Sequence, residues 1–466
     1  MIEVNIYLIT ILHTNLDLTV KRQNCWLFRG LRRKKPTPPQ QKGRRTDMST
    51  LLIKNIGLLQ TPTGSFSHRG RQQGENLKLN DASILIRDGV IAGITDKGRL
   101  PEGAEDTGAA GIRVIDAGGS LVTPGLVDGH THMVFGGWRQ HEIPLKLRGA
   151  GYLDILRAGG GIMDTVRRTR EASFEELRDK TGDFLDEMMS LGVTSCEAKS
   201  GYGLDIDTEL KMLRVIKALN DSHPMDICAT FMPAHAVEEK WKGREEEYIE
   251  VCCKEMMPRV REEKLADYVD IFTEDSVFNA AQSEKYLKAA AQQGFRLRVH
   301  ADEIAAIGGS VLAGQMKAAS AEHLIVIDDA GLKALAEGGV TAMCLPATSF
   351  YLGATFAPVR RMIDEFAIPV ATATDFNPGS CPSLNLQFVM NLGYLRYRMT
   401  PEEVLTAVTV NPACAIGMGE RTGTLEAGKQ ADIVIWNAPD METLCYRFGS
   451  NQARIVIKKG EIVKCN

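Results

Sequence analysis

The sequence predicts an α/β protein: a (β/α)8 TIM barrel beside a β-sandwich that the two ends of the chain build together. Three observations lead there. Eight short apolar segments alternate with amphipathic stretches through the middle of the 466 residues, and β-like segments split by Gly and Asp recur near both ends. The residues that close the central apolar segments are unusually polar, as the catalytic face of a barrel requires.

Residues 1–47 carry ten Lys/Arg against Glu3, Asp17 and Asp47 and are Pro-rich around Pro36 to Pro39, with no apolar period. They read as a basic, disordered leader or as a start placed too early, ahead of Met48. The apolar run from Ile6 to Leu12 follows Glu3 instead of a basic stretch and lacks a small-residue cleavage site, which argues against export. The segments 51–55, 83–86, 90–94 and 113–116 then supply the first part of the sandwich, 48–123, and 431–436 with 454–457 supply the second, 420–466. Between them, in 124–419, the strand cores are 126–128, 193–196, 228–231, 268–272, 296–299, 319–321, 341–344 and 369–372. Stretches such as 174–188 and 283–292 repeat apolar residues at helical spacing. A doubly wound open sheet is the alternative, but it calls for a Gly-rich fingerprint after its first strand, and none is present.

Charge narrows the partners. The net −4 divides into +7 for the leader and −11 for the remainder, and so acidic a body excludes a phosphate-neutralising nucleic-acid surface. No apolar run approaches the roughly 20 residues of a membrane span. The ten cysteines contain no C-x-x-C pair, and Cys252-Cys253 has no nearby histidine to activate it, so buried, reduced thiols in a cytoplasmic protein are expected. Gly159-Gly160-Gly161 lacks the Lys-Ser/Thr of a phosphate cradle and reads as a loop beside the pocket.

The chemistry collects at strand ends. The first strand closes in His130-Thr131-His132, the second in Glu197 to Tyr202 and the third in Ala234-His235. The fifth closes in His300 to Glu303, the sixth in Glu322-His323 and the eighth in Asp375-Phe376-Asn377. Alternate strand residues share a side, so His130 and His132 reach one point inside the barrel mouth. His300 adds a third nitrogen and Asp375 an oxygen; such a set suits Zn²⁺, with Fe or Mn as alternatives. An isolated H-x-H is weak, and the concurrence of His300, His323 and Asp375 at matching ends gives it weight. His141 and His223 sit among polar loop residues and receive no role.

The run from Pro124 to His132 resembles the first-strand signature of the amidohydrolase superfamily, and its later landmarks follow in order through Asp375. More narrowly, 136–142, 199–204, 232–235, 300–303 and 374–380 resemble the imidazolonepropionase family of histidine degradation, over about Met48 to Lys464. The resemblance implies metal-dependent hydrolysis of 4-imidazolone-5-propanoate to N-formimino-L-glutamate by a cytoplasmic homodimer. It implies one Zn or Fe ion per chain held by His130, His132, His300 and Asp375, with Glu303, His323 and Asp375 catalytic. Substrate contacts fall to Arg139, Tyr202, His235, Glu303, Asn377, Gly379 and Ser380. Such chemistry needs water made acidic by an ion, to a pKa of about 7, and a base for the second proton. Glu303 fits if the fifth strand gives way to a helix there, while His323 can hydrogen-bond the hydroxide or the developing oxyanion. Arg139 can grip a propionate bidentately, with Tyr202 adding a hydroxyl. Binuclear relatives carry a carboxylated lysine at the end of strand four; here that end reads Thr273-Glu274-Asp275 and Lys199 is left to pair with an acid, so one ion is expected. The alternatives are an aminohydrolase of purines or pyrimidines, since H-x-x-E after strand five serves such deaminases too, and a catalytically inactive barrel acting as an interaction module.

Overall fold

The computed structural model describes residues 50–104, 112–149 and 159–466; the leader expected over 1–47 lies outside the described residues. Eight parallel strands form the central sheet, as the sequence predicts: β6 (Leu126–Asp128), β7 (Val193–Lys199), β8 (Asp226–Ala234), β9 (Tyr268–Thr273), β10 (Arg296–Ala301), β11 (Ser320–His323), β12 (Thr341–Cys344) and β13 (Val370–Thr372). Each pairs with the next in chain order, and nearly all their residues are buried. Sequential parallel pairing requires a crossover each time, and the covering helices supply it.

The seam between β6 and β13 closes differently. Asp128 accepts from the Thr374 hydroxyl at 2.6 Å and from the Thr374 amide at 3.1 Å, so a side chain stands where a ladder bond would be. Backbone pairing resumes one step on, where Asp375 N–H donates to His130 O and His132 N–H to Phe376 O. Burial pushes the Asp128 carboxyl up to about 7.

Helix Phe174–Ser190 shows why the crossovers form. Ser173 accepts from Glu176 N–H while Glu176 reaches back to Ser173 N–H, a capping box that starts the helix. Leu177, Thr181, Phe184, Leu185 and Met188 then form one buried stripe against the strands. Cys252 and Cys253 are buried on a single wide turn, and no disulfide joins any cysteine among the described residues.

A second eight-stranded sheet draws on both ends of the described chain. From the first part come β1 (Thr50–Thr61), β2 (Leu77–Arg87), β3 (Val90–Thr95), β4 (Ile112–Asp116) and β5 (Leu121–Pro124); from the last come β14 (Ile433–Trp436), β15 (Ala453–Lys458) and β16 (Glu461–Cys465). The order is β16-β15-β14-β5-β1-β2-β3, with β4 also on β1. β1 changes partner halfway: Thr50 to Lys54 pair with β4, and Leu58 and Leu59 with β5. The change falls at Asn55, whose φ of 57° kinks the strand, and at Gly57, where a Cβ would stand 2.1 Å from Gly119 O. The bent sheet encloses its own core of Ile53, Ile56, Ile84, Ile86, Ile433 and Ile435. Lys458, buried between Asp226 and Asp432 at 2.8 Å from each, fastens this sheet to the barrel. No helix among the described residues is long and apolar enough to cross a membrane.

Candidate active site

At the C-terminal mouth of the barrel three imidazoles converge. His132 Nε2 lies 3.3 Å from His130 Nε2 and 3.4 Å from His300 Nε2, and Asp375 Oδ1 lies 3.4 and 3.6 Å from the nitrogens of His130 and His132. All four side chains are buried. The Nδ1–H of His130 donates to Glu322 at 2.6 Å and that of His300 to Asp270 at 3.1 Å, which leaves both Nε2 lone pairs bare and facing inward. Bare lone pairs aimed at one another repel unless a cation sits between them. A tetrahedron with metal–nitrogen distances of about 2.0–2.1 Å has edges of about 3.3–3.4 Å, so the observed spacing fits one ion.

Glu197, Asp270, Glu322 and Asp375 are buried around the imidazoles, and Lys199 and Arg298 pair with the first three of them. Lys199 bridges Glu197 and Asp270 at 2.8 and 3.0 Å, so it answers acids as expected. Arg298 reaches Glu322 and the carbonyls of Gly129 and Ala415. Sequence reasoning missed Asp270, Arg298 and Glu322 as outer partners, although a charge inside an apolar strand core is a signal for an inward-facing role.

Left-handed turns aim the next groups. Asp302, His323, Leu324 and Asp375 have φ between 53° and 66°, each at a strand end, and each costs of order 1 kcal/mol or more outside glycine. Thr348 donates to Asp375 Oδ2 at 2.6 Å and so leaves Oδ1 for the centre. Glu303 lies 3.7 Å from His323 Nε2. The strand does not give way to a helix at Glu303, the condition set for it in the sequence: the segment bends, the next helix begins at Gly309, and Glu303 reaches the cavity from the bend. The cause is Glu274, buried at the end of β9, whose carboxylate accepts from the amides of Ile304 and Ala305 at 2.9 and 3.0 Å and wraps the loop around itself. Burial pushes Glu303 up to about 7 and holds His323 and His235 down at about 3, so both imidazoles are neutral.

These groups face a cavity of about 330 Å³ lined by His132, His300, His323 and Asp375, and also by Arg139, Tyr202, His235, Glu303, Asn377, Gly379 and Ser380. His130 lies beneath it. A larger basin of about 480 Å³ opens at the starts of β8, β9 and β10 and holds none of these residues. His235 stacks on His132 with centroids 4.7 Å apart, and its Nδ1–H donates to Gly201 O. Arg139 differs from expectation. Its Nε and Nη2 already form a fork with buried Glu142, at 2.8 and 3.1 Å, so one bidentate edge is taken and the Nη1 edge remains. That edge lies against Gly379, where a Cβ would come within 2.3 Å of Nη1. Asn377 is consumed within its own turn, donating to Asp375 O and accepting from the amides of Gly379 and Ser380. Gly161, the last of the three glycines, precedes helix Ile162–Glu171 and donates its amide to Glu142, not to a phosphate.

A parallel barrel whose C-terminal mouth gathers three imidazoles, a carboxylate and a buried acid defines a metal-dependent hydrolase. The model of the Amidohydrolase family matches residues 121–463. Imidazolonepropionase of Alkaliphilus metalliredigens (strain QYMF) is 46% identical over 418 residues, covering 89% of this chain and 98% of its own. That of Bacillus velezensis is 47% identical over 415 residues, 88% and 96% of the two chains. The chain belongs to the imidazolonepropionase family of amidohydrolases, and it is therefore an enzyme with a small-molecule substrate and a metal ion. Solved structures share the fold: adenosine deaminase from Xanthomonas campestris with bound zinc has a TM-score of 0.63 at 19% identity, covering 89% of this chain and 92% of its own. For 5-methylcytosine deaminase from Klebsiella pneumoniae the values are 0.66, 19%, 89% and 97%. The deaminases are neighbours in fold alone; the relatives at nearly half identity carry the imidazolonepropionase name.

Proposed function

We propose that the chain adds water across the ring amide of 4-imidazolone-5-propanoate and releases N-formimino-L-glutamate. One observation carries the reading: a single cavity is lined by Glu303 and the imidazole cluster and also by Arg139, whose Nη1 edge is not engaged by Glu142. A ring amide with an anionic arm needs a base and a cation at that separation of roles. His130, His132, His300 and Asp375 would hold one ion, zinc by the donor set, with iron the alternative. When bound, the ion supplies Lewis acidity to the ring carbonyl and makes water acidic near neutral pH.

The side chains do the rest. Ionised Glu303 takes a proton from the attacking water as a C–O bond forms at the ring carbonyl. The ring C–N bond then breaks, the nitrogen receives that proton from Glu303, and the carbon becomes the glutamate carboxylate. His323, neutral at the operating pH, can donate a hydrogen bond to the developing oxyanion. With Nδ1–H given to Gly201 O, His235 offers Nε2 as an acceptor for a ring N–H. Arg139 and Tyr202 take the propionate, and the Asn377 turn presents Gly379 and Ser380 to the far side. The free and largely buried thiols support a reducing, cytoplasmic setting, and the family resemblance supports a homodimer.

The test is turnover of freshly generated imidazolone propionate by metal-analysed protein. His300→Ala is expected to lose both the ion and the activity; full activity in that variant would sink the mechanism.

A further inference from the structure

The geometry points to a second cation in the propionate subsite: Lys146 binds the substrate's carboxylate together with Arg139, and the pair selects rings that carry one anionic arm. The inference rests on the reaction proposed above.

Glu142 is the starting point. Fully buried, it accepts from Arg139 through both oxygens, from Gly161 N–H at 2.7 Å, and from Lys146 Nζ at 3.3 Å. Among the described residues two cations therefore share this one anion, and a positive charge is left over. Lys146 is the loosely held member. Among the described residues its other polar and ring contacts are Gly379 O at 3.5 Å, at the limit of a hydrogen bond, and the Tyr351 ring at 5.7 Å. It lines the same cavity as Glu303 with its side chain one-third exposed, and among the described residues its only acceptor closer than 3.5 Å is the shared Glu142. Gly379 stands between the two cations: its bare Cα makes room for Arg139 Nη1 and its carbonyl meets Lys146. A carboxylate set there receives the outer edge of the guanidinium on one side and the ammonium on the other, and it cancels the leftover charge. A neutral ring gains nothing from either group and leaves that charge uncompensated.

The experiment is calorimetric titration of the metal-loaded full chain with imidazole propionate, an unreactive analogue of the substrate, and with its uncharged carboxamide. Wild type is expected to prefer the acid. Lys146→Met should weaken the acid on the order of 10-fold or more while sparing the carboxamide, and Lys146→Arg should restore most of the loss. Retained carboxamide binding also shows that the variant is folded. Equal loss for both ligands would overturn the inference by making Lys146 a mere support for the loop, as would undiminished acid binding. The two claims fail separately. Lys146-dependent acid binding without ring opening would remove the reaction and keep the subsite; ring opening with no discrimination lost in Lys146→Met would do the reverse.

Discussion

Glu303 is a carboxyl with an unusual working range because burial disfavours its charge, lifting it to about 7 against an ordinary value near 4.3. As the proposed base it acts when ionised, so activity should fall about tenfold per pH unit below about 7 and level off above it. A kcat/KM profile measured at constant metal loading checks this, and a flat profile through pH 6 would exclude Glu303 as the base. Glu303→Gln should lower kcat by about 10²–10⁴-fold. The outer carboxylates give a second prediction: Glu322→Gln removes the charge behind His130 and leaves one acceptor oxygen where His130 and Arg298 use two, and should weaken metal affinity by about 10–100-fold in a chelator competition. At this scale the sequence made the inner groups legible and the outer ones obscure. His130 and His132 announce themselves by the alternation of a strand. Glu322 and Asp270 do not, because their meaning lies in imidazoles that reach them from other strands.

The loop after β6 shows how elements set a residue. Gly136 N–H donates to Thr169 Oγ1 in helix Ile162–Glu171, and a Cβ on Gly136 would meet Arg168 O at 2.3 Å. From the other side Lys180, in helix Phe174–Ser190, donates to Phe135 O and Gly137 O and lies 3.8 Å from the Phe135 ring centroid. The loop is gripped by two helices just before it delivers Arg139. Gly136→Ala should therefore cost about 1–3 kcal/mol in urea unfolding and should also weaken binding of the anionic ligand. Ser173→Ala, which removes only the cap, should cost about 1 kcal/mol and leave that binding alone. Helices with a single apolar stripe, such as Phe174–Ser190, were readable in advance. The bend at Glu303 was not, since the acceptor that diverts its backbone, Glu274, comes from the preceding strand's end and no local periodicity records it.

For the molecule as a whole, the recurrence of β segments at both ends led to the expectation of a composite β-sandwich drawing on both; the structure builds it as one bent eight-stranded sheet, whose kink at Asn55 and exchange of partners along β1 depend on contacts far apart in sequence. Its attachment to the barrel combines apolar packing through Val434, Trp436 and Val456 with a buried ion pair. Burial works against a charged Asp226, but Lys458, with hydrogen bonds from Gln430, Lys458 and Lys459, outweighs it and holds the carboxyl well below the usual range. That stabilisation is complete above the unfolded value of about 3.9 and is lost as pH falls below it. Lys458→Met leaves two acids facing each other and should cost about 3–5 kcal/mol at pH 7, a penalty that shrinks when unfolding is measured near pH 3. The seam of the barrel has a mechanical consequence. His130 and His132 extend one lip of the β6–β13 junction and Asp375 the other, so the ion proposed to sit among them would act as a rivet through a joint where a side chain replaces a ladder bond. Stripping it should speed hydrogen exchange first at the amides of His132 and Asp375, before any other strand pair loosens.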